Sequence, residues 1–341
     1  MRRGHGGTDV LELRVLGLRE SDIIDLSVNV SPFGPAPSVQ ALIRTWDPSR
    51  YPDPACTDAR RALAERFNLS PDRIILGNGA TELLWTLFDA LAPRRVLILE
   101  PTFSEFRSAA EAKRVPIDVL RSEPCEWPRI LDGNATWDAI YFTHPNNPTG
   151  KAMDLHQITE WANAMPETIF VSDESFLSLS ERAEDLDHAL PDNVLRLRSM
   201  TKDHGLAGVR LGYAIAPADL ARAMEAQRPT WTVNDLAQRV VRVALEAETH
   251  VVGARQTLFD WRTRLERGLR ELRVPYLESR TIYTMLDVRD ARPVKMSLLR
   301  DHRIRVRDCT NFGFPAFIRV AVRSPETQDR FLSALSASLL R

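Results

Sequence analysis

Between residues 60 and 220, short β-rich apolar runs alternate with segments of helical period, and no other feature restricts the fold of this chain as much. The run at 73–76 precedes a helical stretch at 81–92, the run at 96–99 precedes 104–113, and the run at 139–142 precedes 154–164. Further strands are expected at 168–172, 194–198 and 211–216. This rhythm predicts an α/β fold with a mostly parallel central sheet flanked by helices. In such sheets ligands bind outside the carboxyl ends of the strands, so chemistry is expected in the residues that follow each run.

At about 150 residues per domain, the 341 residues allow two domains. After residue 230 the pattern changes to one long amphipathic helix at 236–272, with a bend or break expected near Gly253. Strand-like pieces follow at 281–286, 303–307 and 317–322, and a helix closes the chain at 327–340. The opening segment holds a strand at 23–28 and a Pro-rich stretch at 31–37. The reading is a large α/β domain at 46–235 and a smaller α+β domain built from 1–45 and 236–341.

Charge excludes some partners. The 45 Lys and Arg balance 46 Asp and Glu, so no overall field draws the chain to a polyanion and no nucleic-acid partner is expected. Arg2 and Arg3 are not followed by an apolar core, so no export signal is expected. The apolar runs are strand-sized, so no membrane association is expected either. Cys56, Cys125 and Cys309 are scattered and odd in number, which suits neither a disulfide framework nor a metal cluster and points to a reducing, cytoplasmic location. The histidines are also scattered, and no metal is expected.

Four strand ends carry polar, turn-forming residues. In Gly77-Asn78-Gly79-Ala80-Thr81-Glu82, glycines permit a tight turn and the N–H groups opening a helix favour a phosphate; an ordinary turn with a Thr cap has the same pattern. His144-Pro145-Asn146-Asn147-Pro148-Thr149-Gly150 is a rigid turn presenting side-chain amides. Asp173-Glu174 ends an apolar strand, where a carboxylate either caps a helix or faces a buried cationic ligand atom. The segment from Ser199 to Tyr213 supplies Ser199, Thr201, Lys202 and Arg210 in a Gly-rich loop. A lone Lys is usually solvated, but this one falls at the same sheet edge as the other three elements.

Together, in this order, the four elements resemble the fold-type I pyridoxal-phosphate enzymes, the aspartate-aminotransferase superfamily, over essentially the whole chain. The resemblance implies pyridoxal 5'-phosphate as cofactor. It implies that Lys202 binds the cofactor covalently and moves the proton at the substrate Cα, for which its amine must be neutral. Asp173 would pair with the protonated ring nitrogen, and Asn147 would donate to the ring's phenolic oxygen. Gly79, Ala80, Thr81, Ser199, Thr201 and Arg210 would hold the phosphate. Phe103 matches the aromatic ring that stacks on the cofactor, with Phe106 as fallback. In Arg50-Tyr51-Pro52-Asp53-Pro54, Tyr51 is similar to the tyrosine lent to the partner subunit's phosphate, which implies a homodimer. Many aminotransferases carry a Tyr three residues after the Asp; here it is Phe176.

Arg319 matches the family's carboxylate-binding Arg, a role suited to a planar guanidinium. His5-Gly6-Gly7, the Phe176 replacement, the segment from Trp231 to Gln238 and the segment from Arg307 to Phe312 are more similar to threonine-phosphate decarboxylases of cobalamin biosynthesis. Gly205-Leu206-Ala207-Gly208 leans toward histidinol-phosphate aminotransferases. The expectation is a small, phosphorylated amino-acid or amine substrate, with decarboxylation favoured and transamination as the alternative. His5, Asn29, Gly34 and Arg323 are the candidates for gripping the far end of the substrate. A remote alternative is a non-enzymatic regulator on the same fold.

Overall fold

The computed structural model describes residues 6–121 and 136–340. The chain divides into two compact units, one of Val30–Asn147 with Ala152–Ala254, the other of Met1–Asn29, Pro148–Lys151 and Arg255–Arg341. The divisions therefore fall at 30 and 254 rather than at 46 and 235. The reason is packing: the helices Pro37–Thr45 and Thr57–Phe67 both lie against Asp235–Glu246, with Val39, Ala59, Leu63, Val240 and Val241 in one buried cluster.

The larger unit is built on seven strands: β1 (Ile74–Asn78), β2 (Val96–Glu100), β3 (Ile117–Arg121), β4 (Ala139–Thr143), β5 (Ile169–Asp173), β6 (Val194–Ser199) and β7 (Leu211–Ile215). Their order across the sheet is β1-β7-β6-β5-β4-β2-β3. All neighbours run parallel except β7, which is antiparallel to β1 and β6. Side chains alternate between faces with the period of two that strands impose. Ile75 and Ile98 enter a core with Leu83, Leu87, Phe88 and Phe106, while Ile74 and Leu76 pack with Leu63 and Val240. Leu97, Leu99 and Phe142 meet Ile158 and Trp161 of the helix Leu155–Ala164. Helices thus cover both faces, as a buried parallel sheet requires.

The edge strand β3 is absent from the sequence reading. Its residues are half-buried or exposed throughout, so the apolar run that marks the inner strands is missing. The expected long helix is two, Asp235–Glu246 and Glu248–Glu271. The break is at Ala247, whose N–H turns back to Ala244 and Leu245, and Gly253 lies inside the second helix. A glycine on an exposed helical face costs about 1 kcal/mol relative to Ala, too little to stop a long helix.

In the smaller unit, β8 (Tyr283–Asp287), β9 (Arg307–Asp308) and β10 (Phe317–Ala321) form an antiparallel sheet with β10 in the middle. The expected strand at 23–28 shortens to Ile24–Asp25, paired parallel with Ile304–Arg305. The helices Ala291–His302 and Pro325–Leu339 pack against each other in the same unit. No described helix is long and apolar enough to cross a membrane.

Candidate active site

Strand register gathers the chemistry at one edge of the large sheet. Thr143 at the end of β4 pairs with Asp173 at the end of β5, and Asp173 with Leu197 of β6. Ser199 pairs with Gly212 of β7, and Gly212 with Gly77 of β1. The turn, the acid, the lysine loop and the Gly-rich turn are therefore next to one another in the fold, though far apart in the chain.

At the Gly-rich turn, Gly79 has a φ of +78°, a left-handed backbone that suits glycine. A Cβ placed there would sit 2.5 Å from Nη2 of Arg210, so the guanidinium lies directly across the Gly79 backbone. A Cβ on Gly212 would run into the Ala80 nitrogen and come within 2.7 Å of the Gly79 carbonyl carbon, so only glycine lets β7 approach this turn. The helix Ala80–Leu91 begins here with no side chain capping its first N–H groups. Arg210 itself holds a φ of +62° and donates to the Ala207 carbonyl at 3.1 Å. Thr81 lies in the first turn of the helix.

On the lysine loop, the Ser199 and Thr201 hydroxyls are 2.6 Å apart and both residues are buried. Lys202, partly buried, sits on the one-turn helix Met200–Asp203. Its carbonyl accepts from Ser31 N–H at 2.8 Å. Asp203 fixes the loop from behind by accepting from Ser178 at 2.7 Å. Gly34 is packed on the same loop: a Cβ on Gly205 would lie 2.8 Å from the Gly34 Cα.

Asp173 is buried at the strand end. Its Oδ1 accepts from the Ser175 N–H at 3.0 Å and the Ser175 hydroxyl at 2.6 Å, and its Oδ2 accepts from the Tyr141 phenol at 2.9 Å. Burial pushes its carboxyl above the usual carboxylate range; the Ser175 and Tyr141 donors and the charge of Lys202 work against that. Glu174 faces elsewhere, accepting from Arg196 Nε at 2.7 Å and Arg198 Nε at 2.9 Å, so the two neighbouring acids have separate partners.

The two amides of the Pro-rich turn divide likewise. Asn146 donates to the Pro101 carbonyl at 2.8 Å and to Thr143 at 3.0 Å, tying the turn to the end of β2. Asn147, buried, has its backbone N–H on Thr143 Oγ1 at 3.1 Å. Phe103 packs partly buried against the core of this unit, whereas Phe106 is wholly inside it, stacked on Tyr141 at 4.5 Å. Phe106 is thereby removed as a cofactor-stacking ring. Phe176 is buried. Tyr51 is exposed, its ring 4.8 Å from that of Trp231.

In the smaller unit, Arg319 is buried on β10, donates to the Ser27 carbonyl at 2.9 Å and lies over the Tyr283 ring. Its register partner is Arg307, which the sequence reading did not single out. Burial and the neighbouring Arg319 charge push the Arg307 guanidinium down to about 10; burial lowers Arg319 too. Arg323, half-buried, donates to the Val28 carbonyl at 2.7 Å. Asn29 is buried with neither amide atom hydrogen-bonded among the described residues. His5 and Cys125 lie outside the described residues.

Residues 21–335 match the family model for "Aminotransferase class I and II". The chain is 28% identical, over 97% of its length, to the adenosylcobalamin biosynthesis bifunctional protein CobDQ of Leptospira interrogans, and spans 40% of that protein. It is 31% identical to the histidinol-phosphate aminotransferase of Symbiobacterium thermophilum, covering 96% of this chain and 92% of the relative. Among solved structures, the histidinol-phosphate aminotransferase of Sinorhizobium meliloti in complex with pyridoxal-5'-phosphate superposes with a TM-score of 0.84 at 24% identity, over 96% of this chain and 93% of that one. The L-threonine-O-3-phosphate decarboxylase of Porphyromonas gingivalis gives 0.79 at 24% identity, over 93% and 99%.

Proposed function

The chain belongs to the class I and II aminotransferases, a family that works with pyridoxal 5'-phosphate, and from that premise we propose that it transforms a small phosphorylated amine or amino acid. Transamination of the histidinol-phosphate type is the reading that the relatives support best. The fit of the cofactor is supported by two observations on the larger unit. The absence of a side chain at Gly79 lets the Arg210 guanidinium lie across the turn, at a helix start with no side-chain cap among the described residues. Asp173 is a buried acid whose carboxyl stays above its ordinary range despite the Ser175 and Tyr141 donors, which leaves it suited to a further cationic partner.

Bound pyridoxal 5'-phosphate supplies an aldehyde and a ring that withdraws electrons from the substrate Cα. Arg210, Ser199, Thr201 and the N–H groups of Gly79, Ala80 and Thr81 would hold its phosphate. Asp173 would face the ring nitrogen as its counter-charge, and Asn147 would donate to the ring oxygen. Lys202 would be the residue that anchors the cofactor, and its amine the group placed to move the proton at the substrate Cα. Phe103 offers the stacking ring.

The observation that carries an anionic substrate is the pairing of Arg307 with Arg319. Two guanidiniums buried side by side repel, and an anion between them reverses the sign of that interaction. Asn29, whose amide meets no partner among the described residues, and Arg323 of the same unit would complete the grip. Exposed Tyr51 supports a homodimer in which it reaches the partner's phosphate site.

A second reading, decarboxylation, is favoured by Phe176, which puts a buried apolar ring where many aminotransferases carry a phenol. Incubation with histidinol phosphate plus 2-oxoglutarate, and separately with O-phospho-L-threonine, tests both. Glutamate formation is expected in the first. Release of CO2 in the second, with no glutamate in the first, would replace transamination by decarboxylation; neither product would overturn the phosphorylated-substrate proposal.

A further inference from the structure

We propose that Tyr141 is a positioning residue for catalysis, fixing the Asp173 carboxylate that would face the cofactor's ring nitrogen. The inference rests on the role given to Asp173 above. Tyr141 lies within β4, opposite Val171 of β5, and its phenol reaches along the strand to Oδ2 of Asp173 at 2.9 Å. Oδ1 is occupied by both donors of Ser175. The carboxylate is therefore held at both oxygens, by groups from two adjoining segments, and its plane is set.

The ring of Tyr141 is fully buried. It stacks on Phe106 at 4.5 Å with 5° between planes, and Phe106 packs on Phe88 at 4.8 Å. The hydroxyl thus has one place to be. Packing alone does not call for it: a phenylalanine would fill the same space, stack in the same way and bury no polar atom. A phenol in the core is unfavourable unless it finds a partner, and its partner here is the acid at the strand end. Burial and the adjacent negative charge keep this phenol protonated, so it remains a donor. A donor to a carboxylate favours the ionised form. Without it, the burial of Asp173 is opposed by one fewer group, the acid takes up a proton more readily, and a neutral acid does not balance a cationic ring.

The test is Tyr141→Phe in the full chain, alone and combined with Asp173→Asn. The far-UV circular dichroism spectrum is expected to match wild type because the ring stack is kept. Affinity for pyridoxal 5'-phosphate, measured by dialysis of the apoprotein, is expected to weaken about tenfold, the equivalent of one lost hydrogen bond to a charged group. Turnover should fall through kcat, with KM for the amino substrate within about twofold. In the Asp173→Asn background the same substitution should change cofactor affinity little, since no carboxylate is left to hold. An unchanged affinity and kcat in the single variant would overturn the proposal, and so would an equal loss in both backgrounds. If Asp173→Asn alone left cofactor affinity and turnover at wild-type values, the role of Asp173 itself would fall, an outcome distinguished from the others without reference to Tyr141.

Discussion

Removing the charge of Glu174 should unfold the larger unit more readily than any surface charge change. The Glu174 side chain is 0% exposed, and its two oxygens take Arg196 Nε at 2.7 Å and Arg198 Nε at 2.9 Å. Both terminal nitrogens of Arg196 and one of Arg198 donate to the carbonyls of His188, Asp185 and Leu186. Glu174→Gln keeps the shape and one acceptor but leaves two buried cations without a counter-charge. Breaking a buried pair in this way costs about 3–5 kcal/mol. Since a domain's whole stability is roughly 5–15 kcal/mol, the urea midpoint should fall steeply, with the m-value unchanged.

The pH dependence has a definite sign. Burial alone would raise the Glu174 carboxyl, but the charges of Arg196 and Arg198 outweigh it and the folded value lies below the ordinary 4.5. The stabilisation is therefore complete above about pH 4.5 and is lost as pH falls through the folded value. The gap between wild type and Glu174→Gln should be constant at neutral pH and close only in acid. Asp219→Asn, in an exposed pair with Arg222, is the control, with an expected effect under about 1 kcal/mol. A Glu174→Gln variant within about 0.5 kcal/mol of wild type would refute the argument that this acid anchors the sheet edge.

Two further outcomes follow from the same geometry. Gly212→Ala places a Cβ against the Ala80 nitrogen and should displace the turn that carries Gly79, costing about 1–3 kcal/mol of stability and weakening cofactor affinity; a melting temperature and affinity equal to wild type would contradict the close approach. Arg319→Ala should raise KM for the amino substrate by about tenfold or more while the yellow absorbance of the bound cofactor stays. Loss of that absorbance would instead assign Arg319 to the cofactor.

The residues proposed to hold the cofactor were legible because they stand at strand ends, where the chain must turn and the turn leaves a signature in Gly, Pro and Asn. The inner strands were legible for a related reason: burial on both faces demands unbroken apolar runs. Where burial is partial, as in β3, that signal vanishes. Tyr141 was invisible because in Ala139-Ile140-Tyr141-Phe142 a tyrosine reads as apolar filling, and only the three-dimensional pairing of β4 with β5 reveals what its hydroxyl meets. Arg307 was missed for the opposite reason: a lone arginine in a short strand reads as solvated, and only the pairing of two successive strands places it opposite Arg319, twelve residues further along the chain. The helix breaks at Ala247 and runs on through exposed Gly253, whose cost of about 1 kcal/mol is too small to end it.

The central claim is that Lys202 bonds to pyridoxal 5'-phosphate at this sheet edge. Borohydride reduction of the purified, cofactor-loaded protein followed by peptide mass mapping tests it directly. The account predicts one modified peptide, carrying the reduced cofactor on Lys202, and none in the Lys202→Ala variant, which should also lack turnover. A reduced cofactor on another lysine, or full turnover in Lys202→Ala, would contradict it.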